Sequence, residues 1–423
     1  MREKSNRRSH HIAVFLPVMG LGAALVAGSP ALAQPIAYEG IIGGERIVLE
    51  LTDDPFSALE KVEGRFTYLE DGSDIPLLFS RSSASELVLT EESPCALTEC
   101  DASKPAINAI WMLGPGKGRR EIVGKRQKDG EEASGVLRYI GERPRDEGEE
   151  RSAYGLFSVS DQLSMSSEAI RADTHPYEYA KLNVPVEVSG PLDFAKQLDF
   201  AGSAIAYVID PRTRFVWPRI ERLADGSSPS KVNAMLEQAR WRKNLSAFSC
   251  RSMRYMTLRG GDEAWSSDVG SLGGYDDTIV QVSFLDPRLL SYQESGSLWC
   301  GGASPTNFIK PVVIDVQRGE EISASALFAG WEDGLPPEGL IALVRSRLSK
   351  ESEEMDGGGD CSFDNLSNYL AAYLAASNPG RIEVRFGLYN LPTVAVACTR
   401  DVATFQLDEI AEYLTPMGAS LLE

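Results

Sequence analysis

A cysteine stands between a tryptophan and a glycine pair in GSLWCGGASP, residues 296–305. Cys300 in such a turn is either a nucleophile or half of a disulfide. A thiol at its ordinary pKa is mostly protonated at neutral pH, so a nucleophilic cysteine needs a base or a cation beside it. Beyond residue 33 the chain has one histidine, His175 in ADTHPYEYA, far off in sequence and followed by a proline. Six cysteines, Cys95, Cys100, Cys250, Cys300, Cys361 and Cys398, make an even set. In an exported chain that is the mark of disulfides. Sequence proximity favours Cys95–Cys100, Cys250–Cys300 and Cys361–Cys398. Cys300 is expected to be a staple.

Other fragments resemble sites and fail on inspection. Ser228 to Lys231 spells S-x-x-K, but its companion motifs are absent and a helix cap explains the serine. MDGGGDCSFD offers Asp356, Asp360 and Asp364 to a hard cation without the spacing or closing glutamate of an EF-hand loop. The glycines of GSLGGYDD and WCGG lack the lysine and helix start of a phosphate cradle. Paired glycosidase carboxylates are defined by their separation in space, which a sequence does not give. No catalytic residue, cofactor site or metal ligand is therefore expected. Trp217, Trp241, Trp265, Trp299 and Trp331 all fall in the second half, where they could build an aromatic surface. The candidate binding surface comprises Trp299, Trp331, Asp356 and Asp360.

The N-terminus predicts export. Arg2, Lys4, Arg7 and Arg8 precede an apolar run, and SPALAQ places Ala31 and Ala33 at the small positions of a cleavage site. Residues 1–33 are expected to be a signal peptide, leaving a periplasmic or secreted protein with no membrane span. The chain carries 42 Lys and Arg against 61 Asp and Glu, a net −19. Without the four basic residues and one acid of the signal, 38 basic face 60 acidic residues, a net −22. Such a surface repels nucleic acid and anionic lipid and attracts cationic proteins.

These features sit on two kinds of pattern. Residues 34–140 alternate apolar and polar positions between Gly-Gly and Asp-Gly turns, predicting an antiparallel β meander or small barrel. GKGRREIVGKRQKDGEE predicts a charged hairpin at a solvated sheet edge, and 141–175 a linker and entry segment. Residues 176–423 predict an α+β domain with an antiparallel sheet. PYEYAKLNVPVEVSG is expected as a strand. SSPSKVNAMLEQARWRKNLSAF is expected as a helix capped by Ser228, with Val232, Met235, Leu236 and Ala239 on one face. DNLSNYLAAYLAAS is expected as a helix with a stripe of Leu366, Tyr369, Leu370, Tyr373 and Leu374. RIEVRFGLYN places Ile382, Val384, Phe386 and Leu388 on one side of a strand, TVAVACT pairs with it, and LDEIAEYLTP closes the chain as a short helix.

Three stretches, FVWPRIERLADGSSPSKVNAMLEQ, GSLWCGGASPTNFIKPVVIDVQRGEEISASALF and EVRFGLYNLPTVAVACTRDVATFQLDEIAEYL, carry a resemblance. In order they resemble the RsiV-like extracytoplasmic domain, the ectodomain family of anti-sigma-V factors, over roughly residues 200–417. The resemblance implies a noncatalytic α+β module of the bacterial cell envelope. In the anti-sigma factor that module recognises lysozyme. A cleavable signal replaces the membrane span here, so signalling by regulated proteolysis is not implied. The expected function is a noncatalytic envelope binding module for a cationic, lysozyme-like protein or for peptidoglycan. The alternative is an envelope hydrolase acting on glycan or peptide through carboxylates.

Overall fold

The computed structural model describes residues 34–423 except 57–60, 94–106, 119, 147, 190–199, 201, 256–277, 299–305, 349–360, 379–380, 390 and 423. Eight strands open the chain: β1 (Ile36–Ile42), β2 (Glu45–Leu51), β3 (Gly64–Tyr68), β4 (Ile75–Ser83), β5 (Glu86–Glu92), β6 (Ile107–Pro115), β7 (Glu121–Lys128) and β8 (Glu131–Glu142). Each pairs antiparallel with its neighbour, and β8 returns to β1, closing a barrel. Eight strands leave an interior just wide enough for side chains to fill. Leu49, Phe66, Leu77, Leu89, Trp111 and Leu137 fill it. The expected Gly-Gly and Asp-Gly turns are present at Gly43–Gly44 and Asp71–Gly72, and the charged hairpin turns at Asp129–Gly130. The charged hairpin is a correction: β7 pairs with β6 and β8 alike, so closure removes the sheet edge it was expected to occupy.

Beyond the barrel the stretch expected to link two domains is partly helical. α1 (Ala153–Met165) starts at Ser152, whose Oγ accepts the Gly155 N–H at 3.1 Å. Its Phe157 joins the barrel cluster, while Val159 and Leu163 pack with Trp241, Leu245 and Phe248. α2 (Pro176–Leu182) lies where a strand was expected. The β-forming tyrosines of PYEYAKL masked three helix signals: Pro176 at the start, Glu178 in the first turn and Lys181 in the last.

A seven-stranded sheet follows, of β9 (Glu187–Ser189), β10 (Ala204–Ile209), β11 (Val216–Arg222), β12 (Ile279–Leu285), β13 (Leu289–Leu298), β14 (Thr306–Asp315) and β15 (Glu320–Glu321). Its order is β15-β14-β13-β12-β11-β10-β9, antiparallel except where β11 meets β12 at Val216 and Ile279. The long helix α3 (Ser230–Ser252) falls between those two strands in sequence. Val232 and Leu236 are buried in the sheet's cluster, with Met235 and Ala239 packed against it, as their spacing predicts. The cap differs. Pro229 occupies the position before the helix, and Ser228 Oγ accepts only a 3.4 Å bond from the Ser230 N–H.

The last third holds α4 (Ala324–Leu327), α5 (Glu338–Ser346), α6 (Phe363–Leu366) and a three-stranded antiparallel sheet. Its strands are β16 (Leu370–Asn378), β17 (Arg381–Leu388) and β18 (Arg400–Gln406), and α7 (Pro416–Leu422) ends the described chain. The expected helix over DNLSNYLAAYLAAS is instead α6, a 3-10 turn and β16. Both faces of β16 are covered: Leu370 and Leu374 enter the main cluster, Tyr373 and Ala375 a second one on the other side. A strand buried on both faces shows no alternation, and its alanines favour helix, so the period misleads. TVAVACT is a 3-10 turn, Thr393–Cys398, and LDEIAEYLTP two more, so the closing helix starts later at Pro416. On β17, Val384, Phe386 and Leu388 are wholly buried as predicted, with Ile382 packed beside them.

Residues 33–423 form one compact unit, and buried ions fasten it. β2 is buried on both faces. Ile47, Leu49 and Leu51 enter the barrel, while Val48 and Glu50 face outward, Val48 packing with Tyr177 of α2. Against that outer face, the guanidinium of Arg65 donates to Glu50 at 2.8 Å, to Asp74 at 3.2 Å, to Ser160 of α1 at 2.8 Å and to Glu178 of α2. Arg143 donates to Glu50 at 3.0 Å and forks onto Glu149 at 2.7 and 2.8 Å. Asp74 also accepts Lys181 Nζ at 2.6 Å and the Tyr177 hydroxyl at 2.7 Å. The Asp71–Gly72 turn reaches α3: Gly72 has φ +84°, and a Cβ there would stand 2.5 Å from the Phe248 ring. Only glycine suits both the backbone and the contact.

Candidate functional site

The cysteines resolve in part. Cys361 and Cys398 form a disulfide with Cα atoms 5.2 Å apart, tying the start of α6 to the 3-10 turn before β18. Cys250 is also disulfide-bonded and sits inside the last turns of α3 rather than after it. Cys95, Cys100 and Cys300 lie outside the described residues, as do Trp299, Asp356 and Asp360. His175 is buried just before α2, its Nε2 3.7 Å from Glu168.

Trp331 is 5 % exposed and stacks at 5.5 Å on Phe328, so it is no surface tryptophan. It lines a cleft of about 460 Å³ between β14, α4 and β16. Phe328, Leu327, Val313 and Tyr389 share the apolar wall, with Tyr369 also lining it and 38 % exposed. Tyr389 is held from behind: its hydroxyl donates to Asp401, which also accepts Tyr373 at 2.9 Å, while Gln293 Nε2 donates to Tyr389 at 3.2 Å. Burial, followed by the bond to Asp401, pushes the Tyr389 hydroxyl far above its ordinary range, so it stays neutral. Gly387 lets the ring lie flat on β17, since a Cβ there would fall 2.3 Å from it.

The hairpin that contributes Gly334 to the cleft has the opposite character. Glu332 and Leu335 exchange backbone bonds of 3.1 and 2.8 Å around Asp333 and Gly334, whose φ angles are +50° and +79°. This is the two-residue hairpin that Asp-Gly favours. It projects exposed Glu332 and Asp333 beside Leu335, itself 49 % exposed. Glu320 and Glu321 of β15 and Glu338 of α5 are exposed as well, and Glu321 lines the cleft. Lys310 stands 3.8 Å from Glu321. An apolar, aromatic floor with a carboxylate, Glu321, in its lining suits a side chain with a hydrophobic stem and a cationic head.

Of the four sequence candidates, Trp331 is the one among the described residues, and it lines this cleft. The sequence points to neither Phe328 nor Tyr389 and to Tyr369 only as part of a helical stripe, because the fold alone gathers them from three segments. The Asp-Gly pair of WEDGLPP was the one local signal for the hairpin. Among the described residues no three His, Cys, Asp or Glu side chains converge as a metal site, and no helix is long and apolar enough to cross a membrane. No protein-family profile and no curated protein matches the chain.

Proposed function

We propose that the protein is an exported envelope binding module that captures a cationic polypeptide in the Trp331 cleft. The carrying observation is the aromatic floor of Phe328, Trp331 and Tyr389 with Glu321 in the same lining, beside exposed Glu332 and Asp333, which fall between the lining residues Trp331 and Gly334 in sequence. The net charge of −19 supports it at longer range, by steering a cationic partner toward the surface. Exposed Tyr369 in the lining and exposed Leu335 in the neighbouring hairpin add apolar area for a partner to cover. The resemblance to the RsiV-like domain points the same way and makes a c-type lysozyme the first probe. Titration at low and at physiological salt, with cell-wall lysis followed in parallel, tests the reading. Binding that weakens with salt supports it. Binding indifferent to salt removes the electrostatic part and favours peptidoglycan glycan, which has no cationic head to offer.

A further inference from the structure

A second cleft, of about 300 Å³, runs along α3 from Ser230, Asn233 and Ala234 to Glu237 and Arg240, walled by Val186, Val208 and Trp217–Arg219. It shares no residue with the Trp331 cleft. Its construction is rigid: Asn233 accepts the Ile220 N–H at 2.9 Å and donates to the Ile220 carbonyl at 2.8 Å, pinning the helix to β11.

Two donors of residues in its wall make no hydrogen bond. Trp217 is 1 % exposed and its Nε1–H is buried without an acceptor. Arg240 is 4 % exposed and its Nη1 is likewise unbonded. A buried donor left unsatisfied costs about 1–3 kcal/mol, more when charged, so two in one cleft require an explanation. The nearest acid does not supply it. Asp210 lies 3.8 Å from Arg240, but its oxygens accept Arg212 at 2.8 and 2.9 Å and Asn244 at 2.7 Å. Glu237 reaches only to 3.7 Å from Arg240 Nη2 and is 53 % exposed at the mouth. Exposed Arg219 adds a second cation to the lining, so the cleft is net positive inside a strongly acidic protein.

We infer that this cleft binds a small carboxylate, which accepts from Arg240 Nη1 and Trp217 Nε1 and displaces Glu237 from the guanidinium. A planar carboxylate has the two acceptor oxygens that a guanidinium and an indole N–H can share. The volume admits a molecule of amino-acid size rather than a folded chain. Burial lowers the pKa of Arg240, the sense expected of a cation missing a full counter-charge.

The test is calorimetric titration of the full exported chain with N-acetyl-L-alanine and with its amide, using wild type, Trp217→Phe and Arg240→Gln. Trp217→Phe keeps the ring and removes only the N–H, so it remains informative should Arg240→Gln fail to fold. The acid is expected to bind saturably, about tenfold more weakly in each folded variant and at least tenfold more tightly than the amide. Equal binding of acid and amide, no binding of the acid, tighter binding of inorganic phosphate, or a Trp217→Phe affinity equal to wild type would each overturn the inference.

Discussion

Arg65 and Glu178 are 113 residues apart in sequence and meet as a hydrogen-bonded ion pair with both side chains wholly buried. The pair joins the barrel wall to α2, and Glu50, Asp74 and Ser160 complete the arginine's bonds. Such a cluster confers little net stability over an apolar replacement of the whole, yet loss of one member strands the others. Arg65→Met leaves Glu50, Asp74 and Glu178 facing one another, and should cost about 3–5 kcal/mol in denaturant unfolding. Adding Glu178→Gln should recover part of that loss. Two single variants whose effects simply add would contradict the coupling.

The same cluster sets an acid limit. Burial by itself would raise the Glu178 carboxyl, but Arg65 and Arg143 outweigh burial and lower it from 4.5 to about 2. An acid with a depressed folded pKa stabilises fully above its unfolded value, and that contribution disappears as pH falls through the folded one. The contribution of Glu178 should therefore decline as pH drops from about 4.5 toward 2, against the opposite sense of Glu50, whose carboxyl burial raises, and Glu178→Gln should remove that decline. Chemical denaturation at a series of pH values checks it.

The disulfide between Cys361 and Cys398 closes a loop with a sequence separation of 37. Constraining the unfolded chain over that length is worth about 4 kcal/mol in the chain-entropy account. Replacing both cysteines with serine should lower stability by about that much, read from the unfolding midpoint. Because α6 leads directly into the 3-10 turn that supplies Asn368 and Tyr369 to the Trp331 cleft, partner binding should weaken at temperatures where the wild type still binds.

What could be foreseen followed from local rules. The barrel was legible because its strands alternate and its turns carry Gly-Gly and Asp-Gly. The face of α3 was legible from Val232 and Leu236, and β17 from Val384, Phe386 and Leu388. Elements buried on both sides were not: β16 hid its period behind alanines covered on either face, and α2 hid behind two tyrosines. The sequence leaves a meander and a closed barrel both open, since no local feature of β1 and β8 announces that they pair. The sites depended still more on tertiary position. Trp331 stands out by its type, but Phe328 and Tyr389 join it in one cleft only in the fold, and the absence of a hydrogen bond at Arg240 Nη1 is a property of three dimensions alone.

The capture of a cationic partner by the Trp331 cleft is tested most directly by neutralising the carboxylates in its lining and in the neighbouring hairpin. A variant carrying Glu321→Gln, Glu332→Gln and Asp333→Asn alters three exposed side chains, and asparagine tolerates the left-handed backbone at 333. Its affinity for a c-type lysozyme is to be measured against wild type at low salt, with thermal unfolding as the control for folding. The account predicts unchanged unfolding and binding weakened by tenfold or more, on the order of 1.4 kcal/mol. A correctly folded variant that binds as tightly as wild type, or a wild type that does not bind at all, would contradict it.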